Sequence, residues 1–217
     1  MRNMTKRRRA LMASYPLPHG RLPSGFREVE WLQGTGTQYC VTNYCPQFNV
    51  NEKTVIKGDV TVINQGNPYF DIMATWANGS TAVGYGVMIS NSAFFFYNGS
   101  TGDTSIPIAS VPIDFHYELN VSNYILNDRT LPKWDRTVNN TTYPFIIGAR
   151  SLNGSISVYN QNVRIKEFYI YNENQLLSEI IPCYKKSDNV AGFYETGTQT
   201  FLTNLGSGTD WIVGPVV

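Results

Sequence analysis

Short runs of apolar and aromatic residues recur through most of the chain, and many of them alternate with polar residues. The segment Phe115–Leu126 is the clearest case, because Phe115, Tyr117, Leu119 and Val121 would share one face of an extended strand. No segment shows the longer apolar repeat of an amphipathic helix. The runs predict strands at residues 29–33, 39–44, 54–63, 69–76, 84–89, 93–97, 115–126, 143–147, 155–159, 163–171, 177–181 and 191–194.

Turn-forming residues separate most of these runs. Asn91-Ser92 and Asn127–Thr130 predict turns, and Asn98–Asp103 predicts a loop. Many short strands at even spacing are typical of a sandwich or a barrel. We therefore expect an all-β fold over residues 23–217, a two-layer antiparallel β-sandwich of the jelly-roll type.

The first 22 residues differ from the rest, because they hold six of the 17 basic residues and no acid. Two prolines in this segment oppose a helix. We expect residues 1–22 to form an extended arm outside the sandwich that docks on a partner protein. The residues expected to make the contact are Lys6, Arg7, Arg8, Arg9, Leu11 and Tyr15. Two alternatives stay open: a tail without a role, and binding to a membrane or to nucleic acid, which is not the partner we expect.

Composition excludes several classes of protein. Charged residues make up 15% of the chain and the net charge is +1. The three cysteines lack the spacing of a metal site, so we expect free thiols in or near the core and neither a metal nor a cofactor. The basic start has no apolar stretch behind it, and no run of about 20 apolar residues follows. We therefore expect no signal peptide and no membrane span.

Enzymatic residues are hard to find in this sequence. A glycoside hydrolase, the enzyme class that such a sandwich suggests, needs two carboxylates about 5–9.5 Å apart. The one close pair, Glu28 and Glu30, is expected at a solvated strand edge. His19 lies in the arm, and His116 is expected on the outer face of its strand. The chain also has neither a Gly-x-Ser-x-Gly motif nor a P-loop, so we expect no enzyme.

Binding residues are easier to propose. Aromatic side chains near strand ends can stack on sugar rings, and the alternative for each of them is packing in the core. The residues singled out as a ligand site are Trp76, Tyr97 and Trp134, with Trp211, Tyr85 and Tyr143 as further candidates. Scattered carboxylates near loops are weaker candidates for calcium: Asp71, Asp103, Asp128 and Asp135.

The opening of the sandwich region, Leu22–Tyr39, resembles a known family. Its sequence LPSGFREVEWLQGTGTQY is similar to the start of laminin-G-like, concanavalin A-like domains in bacteriophage and prophage proteins. The basic run Arg7–Met12 also resembles the opening of these proteins. The resemblance implies a concanavalin A-like sandwich.

The end of the chain is similar to the same family. The segments that carry this likeness are Val163–Tyr171, Ile181–Asp188, Ala191–Tyr194, Phe201–Asn204, Gly206–Gly208 and Gly214-Pro215. Two positions depart from the family pattern: Cys40–Asn43 replaces Ile-Asp-Thr-Gly, and Glu195 replaces an Asp after Tyr194.

The resemblance implies a structural protein of the phage particle, assembled in the bacterial cytoplasm. We expect a surface protein of the capsid decoration or head-fibre type, present in many copies and bound to other virion proteins through its arm. The alternatives are a carbohydrate-binding adhesin or tail receptor-binding protein that contacts host glycans, and then a glycoside hydrolase.

Overall fold

The computed structural model describes residues 21–47, 53–64, 69–77, 83–90, 93–99, 102–120, 122–131, 142–152, 155–158, 163–208 and 210–217. No helix in this part of the chain is long and apolar enough to cross a membrane. The strands in chain order are β1 Phe26–Glu28, β2 Leu32–Gln33, β3 Cys40–Val41, β4 Thr54–Val62, β5 Tyr69–Ala77, β6 Val83–Ser90, β7 Ala93–Gly99, β8 Gly102–Pro107, β9 Ile113–Leu119, β10 Tyr124–Leu126, β11 Arg129–Leu131, β12 Ile146–Ile147, β13 Ala149–Leu152, β14 Ser155–Val158, β15 Val163–Asn172, β16 Gln175–Lys185, β17 Ala191–Glu195, β18 Thr200–Thr203 and β19 Ile212–Val213.

These strands form two sheets. The larger sheet has the order β11-β10-β9-β4-β15-β16-β17-β18, with β1 on β16, β2 on β15 and β19 on β2. The smaller sheet has the order β14-β13-β5-β6-β7-β8, with β12 between β3 and β5. Pairing within the described strands is antiparallel, apart from a single Leu152–Trp76 pair between β13 and β5. The predicted all-β fold of two antiparallel sheets is confirmed.

The central strands of the larger sheet have one buried and one outer face. In β4 burial alternates from Ile56 to Val62, so that Lys57, Asp59 and Thr61 lie on the outer face. In β9 the buried side chains are those of Phe115, Tyr117 and Leu119, the face predicted from the sequence; Val121 lies outside the described residues.

The segment Phe115–Leu126 is nevertheless not the single strand that we predicted. It forms a hairpin in which β9 ends before the turn and β10 returns beside it. The Asn120 side-chain oxygen accepts hydrogen bonds from the backbone N–H groups of Ser122 (2.7 Å) and Asn123 (2.7 Å). An asparagine can close a turn in this way, whereas apolar periodicity alone carries no information about it.

Two further connections, the β10–β11 turn and the β7–β8 loop, were also predicted from the sequence. Asn127 and Asp128 have positive φ angles of 49° and 66° and connect β10 to β11 as a two-residue turn. The turn predicted over Asn127–Thr130 is therefore present but shorter, because Arg129 and Thr130 belong to β11. The loop predicted over Asn98–Asp103 is shorter, because β7 continues to Gly99 and β8 starts at Gly102.

The three cysteines follow the prediction. Cys40 and Cys183 are buried, Cys45 is half-buried, and all three are free thiols. Burial raises the pKa of the Cys183 thiol to about 12, so it is protonated at neutral pH.

Aromatic side chains from both sheets meet in the core. Phe94 of β7 lies 4.9 Å from Phe115 of β9, between ring centroids, and Phe96 stacks on Tyr124 of β10 at 5.0 Å. All four rings are buried. This layer joins the smaller sheet to the larger one, and large apolar rings in offset or stacked contact add to the free energy of burial.

A buried tyrosine adds a polar contact between the sheets. The Tyr85 hydroxyl of β6 lies 2.8 Å from the carbonyl oxygen of Thr54 and 2.9 Å from that of Leu119, so its hydrogen is donated into a pair of acceptors in the larger sheet. The Tyr117 hydroxyl is equally buried but has no hydrogen-bond partner. It lies against Gly58, where an added Cβ would be 2.6 Å from the hydroxyl oxygen.

These two tyrosines allow a matched test of the core. Tyr85→Phe should lower the free energy of unfolding by about 1–3 kcal/mol, because two buried carbonyl groups lose their donor. Tyr117→Phe removes a hydroxyl that makes no hydrogen bond, so it should leave the stability unchanged or raise it by about 1 kcal/mol. Urea unfolding of both variants measures the difference, and equal losses in the two would contradict the assignment.

Candidate functional site

Of the three aromatic residues proposed as a ligand site, Tyr97 has a described side chain. Trp76 lies in β5 opposite Gly84, and Trp134 lies outside the described residues. Tyr97 is half-buried, and its hydroxyl lies 3.2 Å from the sulfur of Met88 on the same sheet. Their contact with sugars stays a prediction.

Two of the further aromatic candidates belong to the core. Trp211 is 3% exposed and meets Phe193 edge-on at 5.6 Å, and Tyr85 is fully buried between the sheets. Tyr143 is half-buried. The interpretation of Trp211 and Tyr85 as sugar-stacking residues is therefore wrong, because both side chains are buried in the core.

The acidic residues considered for calcium are also spread out. Asp71 is buried in β5, Asp128 is exposed in a turn, Asp103 is in β8, and Asp135 lies outside the described residues. Within the described ranges, no group of three or more His, Cys, Asp or Glu side chains is placed to hold a metal ion.

The outer face of the larger sheet carries several ionisable side chains. Cross-strand contacts join its acids to cations or to histidine: Lys166–Asp114 at 2.8 Å, His116–Asp59 at 3.1 Å and Lys57–Glu118 at 2.8 Å. His116 is half-exposed on this face, as predicted. These three carboxylates are therefore held in pairs with side chains of neighbouring strands.

One further carboxylate cluster was missed from the sequence. The Arg21 guanidinium contacts Glu28, lies 2.6 Å from Glu167 and lies 3.8 Å from Glu179. Glu28 was predicted at a solvated strand edge, but its side chain is 23% exposed and paired with Arg21. The correction has a simple cause: β1 lies on β16, which brings Glu28 beside acids that are distant in sequence.

The acids of this cluster change the pKa of Arg21. Burial lowers the pKa of Arg21, but Glu167 and Glu28 outweigh that effect and raise it above its ordinary value. Burial also raises the pKa of Glu179, and Arg21 opposes the rise. Residues 1–20 of the predicted arm lie outside the described residues. Arg21, which we had included in the arm, is attached to the sandwich.

Asn43 and Glu195, which lie where the chain differs from the pattern that it resembles, contact each other. Glu195 is fully buried at the end of β17. Its carboxylate accepts hydrogen bonds from the backbone N–H of Asn43 (3.1 Å), from the Asn43 side-chain amide (2.5 Å) and from the Thr198 hydroxyl. Glu195 therefore holds two chain segments together, and its oxygens are taken up in that role.

A shallow groove on the outer face contains a cation, Arg164, that has no ion-pair partner among the described residues. It has a volume of about 310 Å³ and lies between Trp31, Ile113, Asp114, Arg164 and Lys166. Arg164 lies over the Trp31 ring, 4.3 Å from its centroid, and its Nε donates to Gln33 at 3.4 Å. No carboxylate of a described residue forms an ion pair with Arg164. Sequence analysis missed both Trp31 and Arg164, because they meet only through the pairing of β2 with β15.

A buried acid on the smaller sheet is the least well satisfied polar group. Asp71 is 1% exposed, and neither carboxylate oxygen has a hydrogen-bond partner. The nearest cation is Arg150 of β13, whose Nε lies 3.8 Å away. Burial raises the pKa of the Asp71 carboxyl to about 7, and Arg150 offsets only part of the rise.

Comparison with known proteins gives only distant likenesses. No family model matches the chain, and no curated protein matches it. Among solved structures, Trypanosoma rangeli sialidase in complex with sialic acid has a TM-score of 0.45 and 14% identity, over 58% of this chain and 21% of that one. A mutant of this sialidase displaying trans-sialidase activity has a TM-score of 0.44 and 14% identity over the same shares.

A third structure, also Trypanosoma rangeli sialidase, has a TM-score of 0.44 and 9% identity over 75% of this chain and 33% of that one. The chain therefore spans between about a fifth and a third of the sialidase chains that it matches. A likeness at this level carries no argument about activity or substrate.

The buried Asp71 predicts how stability depends on pH. Because its folded-state pKa of about 7 exceeds the ordinary value of 3.8, the folded protein binds a proton more tightly than the unfolded chain. Its contribution to stability should be greatest below pH 4 and should fall until the pH passes about 7. Asp71→Asn should remove that fall and make the variant more stable than the parent at pH 8 by a few kcal/mol.

Urea unfolding between pH 4 and pH 8 measures this effect. Asp128→Asn, the same change at an exposed turn residue, is the matched control for loss of one carboxylate. A difference between parent and Asp71→Asn that stays constant with pH would contradict the prediction.

Proposed function

We propose that this chain is a non-enzymatic structural protein on the surface of a bacteriophage particle, of the capsid decoration or head-fibre type. In this proposal the sandwich is displayed outward and the N-terminal segment attaches it to other virion proteins. The support comes from the way in which the two segments that resemble phage sandwich domains fold against each other.

The single observation that carries the proposal is the packing of Phe26. This residue belongs to the opening motif, and its ring lies 5.1 Å from Tyr194 and 4.9 Å from Phe201, which both belong to the C-terminal motifs. Residues that carry the resemblance at opposite ends of the chain thus share one cluster. That is expected if the resemblance reflects one folded unit rather than two unrelated matches.

Backbone pairing extends the same junction. Phe26–Glu28 pairs with Cys183–Lys185 in register, and the backbone N–H of Lys186 donates to Gly25 at 2.8 Å. Gly206 lies so close to Thr37 that an added Cβ would be 1.6 Å from its carbonyl oxygen. A glycine in this C-terminal motif therefore has a structural reason, since only Gly allows such an approach.

The proposal of a non-enzymatic role rests on the pairing of carboxylates. On the outer face of the larger sheet, Glu118, Asp59 and Asp114 contact Lys57, His116 and Lys166. The cluster of Glu28, Glu167 and Glu179 surrounds Arg21. A glycoside hydrolase needs one carboxyl group as acid and another as nucleophile or base, each free to move its proton. Each of these three acids contacts Arg21, so none of them stands as an unpaired carboxyl group.

The purified protein should therefore release no reducing ends from capsular or cell-wall polysaccharides of candidate hosts. A reducing-sugar assay over extended incubation checks this. Steady release that disappears in Glu179→Gln, but persists in a variant with the exposed Glu173→Gln change, would overturn the non-enzymatic proposal.

Attachment through the N-terminal segment is tested by a deletion that spares Arg21. Removing residues 1–20 keeps the Arg21 cluster, so the sandwich should fold normally, as thermal unfolding will report. The truncated protein should fail to join phage particles. A full-length variant with Lys6, Arg7, Arg8 and Arg9 changed to Gln should join them less well, because arginine pairs well with acidic surfaces.

Electron microscopy of particles assembled with each form gives the readout. Normal incorporation of the truncated protein would mean that the sandwich makes the attachment. Absence of the full-length protein from purified particles would contradict the virion proposal as a whole.

A second function is favoured by the groove beside Trp31. A carbohydrate-binding adhesin needs a fixed side chain with free donors on an exposed face, and Arg164 meets that requirement. Binding of a host glycan is compatible with display on a particle, where many copies would strengthen weak single contacts.

A further inference from the structure

We propose that the groove beside Trp31 is a binding site for carboxylate-bearing sugar residues of an acidic polysaccharide, with Arg164 as the residue that recognises the carboxylate. This inference is independent of the virion proposal, because it rests only on the geometry and charge of the groove.

The first argument is the state of Arg164. A guanidinium carries five N–H donors, and among the described residues Nε alone has a partner, in a long contact of 3.4 Å to Gln33. The terminal nitrogens have no ion-pair partner among the described residues, whereas Arg21 has three. The free fork of donors matches the two oxygens of a carboxylate.

The second argument is rigidity. The guanidinium is stacked on Trp31, and the indole is held in turn by Gly214, where an added Cβ would be 2.7 Å from its ring carbons. The Gly214 N–H also donates to the Trp31 carbonyl oxygen at 2.9 Å. A side chain fixed in advance loses little conformational entropy when it binds. Since these contacts cover the indole, Trp31 serves to position Arg164 rather than to stack on a sugar.

The third argument selects a sugar acid over a bare phosphate. Glu30 and Asp114 lie in the same groove, and Asp114 is neutralised by Lys166 at 2.8 Å. These carboxylates can accept hydrogen bonds from hydroxyl groups but repel a ligand of high charge density. Pro112 and Ile113 add an apolar wall. A ring with one carboxylate and several hydroxyls satisfies each of these groups.

The test measures binding to polygalacturonate, alginate and hyaluronan by calorimetry at low salt. The reference ligands are the same polymers with their carboxyl groups reduced to alcohols, so that the sugar skeleton is unchanged. At least one acidic polymer should bind about tenfold or more tightly than its reduced form, the difference expected for a charge-assisted pair.

Two variants separate a site from general attraction between opposite charges. Arg164→Gln should lower the affinity about tenfold or more. Arg129→Gln removes the same charge from an exposed position on the edge strand β11 and should change it less than about twofold. Thermal unfolding checks that both variants are folded.

Three results would overturn the proposal. One is that none of the acidic polymers binds better than its reduced form, which decides the question even if Arg164→Gln does not fold. Another is an equal loss of affinity in the two variants. The last is binding of dextran sulfate that is as tight as that of the best sugar acid and equally dependent on Arg164, which would indicate a general polyanion site.

Discussion

The contact between the two sheets is the interaction on which the rest of this structure depends. The two sheets bury their facing sides against each other, and the aromatic layer of Phe94, Phe96, Phe115 and Tyr124 fills the space between them. Tyr85 adds a hydroxyl that reaches the backbone of the opposite sheet. Because apolar burial drives folding and the core is closely packed, every strand that supplies a ring must keep its register. The outer face is free to vary, and the functional proposals concern that face.

The outer face of the larger sheet is polar yet largely self-satisfied. Its acids contact Lys57, His116, Lys166 and Arg21, and each of these contacts joins residues of different strands or segments. Such pairs on a half-exposed surface contribute modestly to stability. They also fix the positions of the paired side chains relative to the strands beneath them. Arg164 has no ion-pair partner among the described residues and is fixed over the Trp31 ring, which is why the groove beside it supports the proposal of a binding role.

Part of the site was accessible from the sequence and part was not. The alternation around His116 correctly predicted an outward histidine, and the absence of clustered carboxylates along the chain argued against a local catalytic pair. The Arg21 cluster could not be found in this way, since Arg21, Glu167 and Glu179 are brought together by β1 lying on β16. The same holds for Asn43 and Glu195. Both residues lie where this chain differs from the pattern that it resembles, but only the structure shows that they contact each other.

The sequence by itself determined the class of fold, since alternating apolar residues and Gly or Asn turns permit little except short strands with one buried face. It also determined which faces of β4 and β9 are buried, because a strand repeats every two residues. Only the tertiary structure decided which strands are neighbours, where Asn120 turns one predicted strand into a hairpin, and which charges find partners. These outcomes depend on contacts between residues far apart along the chain, and periodicity describes only residues that are close together.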